Sequence, residues 1–458
     1  MNANMDKSTN NSVSNVYTIL TEEVPEQNEI KFILQNILNI DIYLYNTIDI
    51  LPVIHNEKFT GEWFIIIDTL HIVIKLFNGE SSCVDYMVYN GHVDNNTCAG
   101  SAICILESTK TSDTSSRNTS VNQRITKFMV YNRLFPINNT RKIMFYNEEW
   151  TSEKITNTGS FGLCLMKSLH IEAFHVKNNH YESLYDKYTI TEFQTIDDLI
   201  ITKNNIKEKH GNVSIKIQNI ENDYYISCKL DKGKTTHSGK ISHDPNVGLL
   251  CGVMNLIHSK NKQCSIIIQH HNISQHYFDK LPKSKFWYAI HGITVIFEHI
   301  HNITLPQLPL KYFTIENRNT EKLSTILFSQ IVNKKYACIF SNHSGCALSN
   351  IKTLNKDKDI TVERTMHRPD ILFYNSEKNE LYIIEGKIEK DIYLGVLQLQ
   401  TTYLDRFITL ITCAYPDCII KKGLCITIDS IENICKYQHL EYPVVFALDT
   451  NGVYFSNL

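Results

Sequence analysis

No apolar run in this chain reaches the length that a membrane span requires. The first fifteen residues, MNANMDKSTNNSVSN, are polar and lack the apolar core of a signal peptide. The expectation is a soluble, intracellular protein, cytoplasmic or nuclear, with no membrane partner. Thirteen cysteines are scattered without a C-x-x-C pair; Cys413 and Cys418 come nearest, and no second pair completes a zinc knuckle. His270, His271 and His276 likewise have no metal-ligand spacing. The thiols therefore read as reduced core residues. Excess positive charge is also missing, since the formal net charge is -3. Any contact with nucleic acid must come from local basic patches. Glycine (17) and proline (10) are few, which carries no functional reading.

The remainder is ordinary: 458 residues, 43% hydrophobic and 20% charged, enough for two or three domains with separate cores. Residues 1–15 read as a disordered tail. Residues 16–204 form an N-terminal domain that begins as a β-meander, with strands near 62–68, 71–77, 83–89 and 102–107 and a hairpin turn at Asn78-Gly79. The polar KNNIKEKHGN marks a boundary near 205, opening a middle α/β region to 315 suited to DNA contact. The last domain is 316–458. The fold class is α/β (α+β), with mixed central sheets flanked by helices.

Asp370 opens an apolar run, DILFY, and Leu381–Lys387 is a second; the polar Asn375-Ser-Glu-Lys-Asn379 between them makes a hairpin signal. Side chains two apart share a strand face, so Glu385 and Lys387 point the same way, beside Asp370 on the neighbouring strand. Two carboxylates and an ammonium at a sheet end can hold a divalent metal and steady a water against a phosphate. An exposed ion pair on an edge strand is the bland alternative, and Tyr382-Ile-Ile is too apolar for an edge facing water on both sides.

Pro369-Asp370, fourteen intervening residues, then Glu385-Gly386-Lys387 resembles the PD-(D/E)XK motif of restriction-endonuclease-like nucleases. The resemblance implies a core of that fold at the C-terminus and a Mg²⁺ ion, for which Mn²⁺ can substitute. Asp370, Glu385 and the Gly386 carbonyl would be its ligands, and Lys387 would orient or deprotonate the attacking water. Related nucleases carry a glutamine on the following helix; Gln398 is the candidate, with Tyr403 a turn further on. Either could equally be a helix-surface residue.

The stretch Glu107-Ser-Thr-Lys-Thr-Ser-Asp-Thr-Ser-Ser-Arg117 through Gln123, Arg124 and Lys127 resembles segments of type II restriction endonucleases. With Asp85 it suggests a second, irregular copy of the same core, comprising Asp85, Glu107, Lys110 and Gln123. The lysine falls one position late. Strict alternation puts Thr109 on the face of Glu107, and a bulge would be needed to restore Lys110. A helix starting near 117–120 carries Arg124 and Lys127 opposite Val121, Ile125 and Phe128. Arg117, Arg124, Lys127 and the loop residues Lys232 and Lys234 are candidates for phosphate contact, or else solvated surface.

The leading expectation is a Mg²⁺-dependent endonuclease acting on double-stranded DNA. It would work as a homodimer or as a single-chain pseudo-dimer. A repair or recombination nuclease of the same fold and a non-catalytic nucleic-acid-binding protein are the alternatives.

Overall fold

The stretch with the least polar alternation lies at the centre of a sheet. The structure, a computed structural model, describes residues 16–56, 58–67, 70–79, 83–94, 102–109, 118–135, 139–178, 180–206, 215–221, 223–228, 245–261, 266–270, 313–315, 321–341, 350–351, 360–361, 366–400, 404–449 and 452–456. The chain divides into two compact units. One comprises Met1–Leu20, Pro25–Ile48 and Phe77–Thr314, and the other Thr21–Val24, Asp49–Leu76 and Ile315–Leu458.

In the C-terminal unit six strands stand in the order Ala337–Ser341, Ile371–Asn375, Glu380–Ile388, Ile419–Thr427, Val444–Leu448, Val453–Phe455. The first three pair antiparallel, the next two junctions are parallel, and the last is antiparallel. The predicted hairpin is present, and its turn has a local cause. Asn375 Oδ1 accepts from the backbone N–H groups of Glu377 and Lys378, and Asn379 closes the turn at φ +52°, a conformation that asparagine tolerates. Helix Glu321–Lys335 covers one face of the sheet, and helix Ile392–Gln400 the other. Phe328 packs on Phe373 and Phe446 on the first face. Leu372, Leu381, Ile383, Leu424 and Ile426 meet Ile392, Leu399 and Phe407 on the second. Cover on both sides explains why Leu381 to Lys387 is continuously buried.

In the N-terminal unit the strands run Val16–Thr21, Tyr86–Asn90, Cys104–Thr109, Arg141–Glu149, Ile171–Lys177, His180–Ser183. The pairings from Tyr86–Asn90 onward are antiparallel, parallel, parallel and antiparallel. Helix Asn118–Leu134 packs against helices Asn157–Ser168 and Pro245–Lys260. Mixed sheets flanked by helices are thus found in both units.

Three expectations change. The meander does not turn at Asn78-Gly79, because strand Leu70–Gly79 continues through both residues and Tyr86–Asn90 pairs instead with Val16–Thr21 and Cys104–Thr109. The boundary near 205 separates nothing compact. Gly252 of helix Pro245–Lys260 lies so close to the N-terminal core that a Cβ there would stand 3.1 Å from Ile125 Cγ2 and Leu165 Cδ2. Residues 49–76 belong with the C-terminal unit, where the buried Trp63 donates its indole N–H to Gln330 Oε1 at 2.5 Å. The expected tail 1–15 lies outside the described residues.

Gly386 sits under helix Glu321–Lys335, and a Cβ on it would meet Thr325 Oγ1 at 2.4 Å. Gly386→Ala should therefore destabilise the protein by about 1–3 kcal/mol. Adding Thr325→Ala, which removes the clash, should cost less than the two single changes summed. Urea unfolding of the four proteins checks this; additivity of the two changes would refute the contact.

Candidate functional site

Asp370 directly precedes strand Ile371–Asn375, and the register Ile371↔Ile384 sets it opposite Glu385. The backbone N–H of Gly386 donates to Asp370 Oδ2 at 2.7 Å, which fixes that carboxylate. Lys387 comes from the same strand face as Glu385. Its Nζ lies 3.2 Å from Glu385 Oε2 and 3.8 Å from Asp370 Oδ2, and it donates to the Gly386 carbonyl at 2.5 Å. The three residues predicted to converge are together.

A fourth residue joins them. Glu321, the first residue of helix Glu321–Lys335, brings Oε1 to 3.8 Å from Lys387 Nζ. No spacing in the sequence relates Glu321 to Asp370. The only signal was an acidic residue in the first turn of a helix, where the helix dipole favours it for structural reasons alone. Among the described residues no hydrogen bond links the Gln398 side chain to the cluster, and its Oε1 is buried without a partner. Tyr403 lies outside the described residues.

The cluster is short of positive charge. Burial first, and the adjacent Asp370 carboxylate second, push the Glu385 carboxyl well above the usual range, with Lys387 pulling it back. Burial also raises Asp370, against the ammonium of Lys387 and the Gly386 N–H, and it raises Glu321. At Lys387 burial acts to lower the pKa, and Glu385, Asp370 and Glu321 together outweigh it. Three carboxylates thus share one ammonium in a desolvated place.

Among the described residues no group of three or more His, Cys, Asp or Glu side chains is gathered tightly enough to cage a metal by itself. The donors at Asp370 and Glu385 still fit a magnesium ion. Mg²⁺ usually takes one or two carboxylates, keeps several waters and completes its shell with substrate phosphate. The two carboxylates and the Gly386 carbonyl are hard oxygen donors, and their unbalanced negative charge suits a dication.

The other predicted set lies in the N-terminal unit. Asp85 precedes strand Tyr86–Asn90, and the register Tyr86↔Leu106 sets it opposite Glu107. Within the described residues Cys104–Thr109 pairs residue by residue with Arg141–Tyr146, without a bulge. Lys110 and Arg117 lie outside the described residues, as do Lys232, Lys234 and the side chain of Gln123. Lys127 and Arg124, expected on a solvated or phosphate-contacting face, instead turn onto Glu107. Lys127 Nζ donates to both Glu107 oxygens at 2.7 Å and to Asp85 Oδ1 at 3.3 Å. Arg124 Nε stands 3.4 Å from Glu107 Oε1. A buried carboxylate drew these cations inward, since an unpaired charge there is costly. Glu29, which the sequence did not single out, accepts from Ser108 Oγ and from the Tyr86 hydroxyl, each at 2.6 Å.

Burial, and then the Asp85 carboxylate, push Glu107 up to about 8, against Lys127 and Arg124. The folded chain therefore binds the Glu107 proton more tightly than the unfolded chain, whose glutamate titrates near about 4.3. The stability this gives is full below that lower value and is lost as pH rises toward about 8. Across that window the melting temperature should fall less steeply in Glu107→Gln than in the parent. Identical slopes in thermal melts of the two proteins would refute the assignment.

The chain matches no protein-family model, no curated protein and no solved structure.

Proposed function

We propose that this protein is a metal-dependent endonuclease acting on double-stranded DNA, similar to type II restriction enzymes. Its restriction-endonuclease-like core lies in the C-terminal unit. The observation that carries the reading is the convergence of Asp370, Glu385 and Lys387 at opposed positions of adjacent strands, with more negative charge than Lys387 can balance. Three carboxylates lie within 3.8 Å of the one Lys387 ammonium.

Asp370 and Glu385, with the Gly386 carbonyl, would hold Mg²⁺, or Mn²⁺ in its place. The ion supplies Lewis-acid stabilisation of charge on the phosphate. Asp370 is pre-oriented for this by the Gly386 N–H. Lys387, held between the carboxylates, presents a positive charge to the scissile phosphate and positions the attacking water. Glu321, half-exposed at the rim of the cluster, can accept a hydrogen bond from that water. One P–O bond forms to the water oxygen and one ester P–O bond breaks. The water loses a proton to solvent, and the leaving oxygen gains one. The burial of Glu385 and Lys387 keeps these groups in a low-dielectric setting, where their charges act strongly.

Incubation of purified protein with supercoiled plasmid and Mg²⁺ should yield linear product, and EDTA should stop the reaction. Lys387→Ala and Glu385→Ala should lower the rate of linearisation by at least about 10²-fold, with far-ultraviolet circular dichroism unchanged. Linearisation at the parental rate by either variant would refute the proposal.

A further inference from the structure

Asp85, Glu107 and the backbone of Ser108 repeat the arrangement of Asp370, Glu385 and the backbone of Gly386. In each unit the first carboxylate stands one residue before an antiparallel strand, opposite the second carboxylate. The residue after the second carboxylate then donates its backbone N–H to the first. The distances are 2.7 Å from Gly386 to Asp370 Oδ2 and 2.8 Å from Ser108 to Asp85 Oδ2. The sheets agree as well. From the strand after the first carboxylate onward, both run antiparallel, parallel, parallel, antiparallel. Each cluster also has a glutamate from the first turn of a helix, Glu321 in one and Glu29 in the other. Side-chain placement and strand pairing are separate observations, and both give the same correspondence.

One part differs. The position of Lys387 is taken by Thr109, which carries no charge. An ammonium is nevertheless present, because Lys127 enters from helix Asn118–Leu134 and reaches both carboxylates. Lys387 comes two positions after Glu385 and Lys127 twenty positions after Glu107, yet each ammonium bridges the corresponding pair of acids.

We infer that Asp85, Glu107 and Lys127 form a second centre of the same kind, which takes a divalent cation and a nucleic-acid phosphodiester with Lys127 as its lysine. Asp85 and Glu107 would be the cation ligands. Lys127, displaced from Glu107 when a cation binds, would face the phosphate. Ser108 and Glu29 position Asp85 and the strand end and do not touch the substrate. The bonds exchanged are those of the C-terminal site: one P–O bond to water forms, one ester P–O bond breaks, and the leaving oxygen is protonated. This inference rests on the nuclease reading of the C-terminal cluster, and the experiment separates the two.

Manganese binding, counted by the loss of the free-ion electron paramagnetic resonance signal, is measured beside plasmid cleavage. The variants are Glu107→Gln, Glu385→Gln, Lys127→Met and the Glu385→Gln/Lys127→Met double variant, each checked for folding by thermal melting. The parent should bind two ions per chain, and Glu107→Gln and Glu385→Gln one each. Glu385→Gln should still nick plasmid to the relaxed circle, and the double variant should lose that nicking. An ion count unchanged by Glu107→Gln would overturn the second centre and leave the C-terminal reading intact. Absence of residual nicking in Glu385→Gln would also overturn it. A parent chain that cleaves no DNA would overturn the nuclease reading for both clusters, whatever the ion count.

Discussion

Two carboxylates held opposite one another on adjacent strands, inside an apolar sheet, are the constraint that organises the C-terminal unit. Like charges placed this way repel, and burial raises the cost of ionising either one. Asp370 and Glu385 are kept together because the hairpin register leaves them nowhere else to point. A slip of one residue would turn Glu385 and Lys387 to the opposite face. The register is held at the turn by Asn375 and Asn379 and across the sheet by the nine-residue parallel pairing of Glu380–Ile388 with Ile419–Thr427. The strength of the sheet is thus what allows an electrostatically unfavourable pair to persist.

How much of this could be read from the sequence follows from how far apart the partners lie along the chain. The Asp370/Glu385/Lys387 group belongs to one hairpin, and strand alternation plus a polar turn were sufficient to assemble it. Glu321 comes from a helix forty-nine residues before Asp370, so no periodicity links the two. The same holds for Glu29, fifty-six residues before Asp85. Asn78-Gly79 misled for a different reason: turn chemistry is permissive, and a strand that finds a partner can run through it. The domain limits were obscured because an apolar helix, Pro245–Lys260, seals against residues more than a hundred positions earlier.

Lys127 shows why charge on a helix is ambiguous. Ile125 and Phe128 are fully buried, and the helical period sets Arg124 and Lys127 on a neighbouring stripe three residues apart. Seen alone, that stripe is a solvated face. With a buried Glu107 beneath it, the same stripe supplies the counterions. An amphipathic pattern reports which residues avoid water, and it cannot report whether a charged residue meets water or an opposite charge. Local spacing pointed to Lys110 for Glu107; among the described residues the ammonium on Glu107 is that of Lys127, which tertiary packing delivers from a helix.

The chemistry of such a cluster depends on where the ammonium is, and the chain segment that carries it is immaterial. A strand lysine two positions from its glutamate is rigid, since its backbone is locked in the sheet; the helix above passes so close that a Cβ at Gly395 would stand 2.7 Å from Lys387 Cγ. A helix lysine must span from another layer, and its hold depends on helix packing. The contacts follow this difference. Lys387 touches a single Glu385 oxygen at 3.2 Å, whereas Lys127 grips both Glu107 oxygens at 2.7 Å with Arg124 alongside. The first arrangement leaves its carboxylates under-neutralised; the second pairs Asp85 and Glu107 with two cations. Any added cation therefore meets an open charge deficit in one unit and must first dislodge a bidentate lysine in the other.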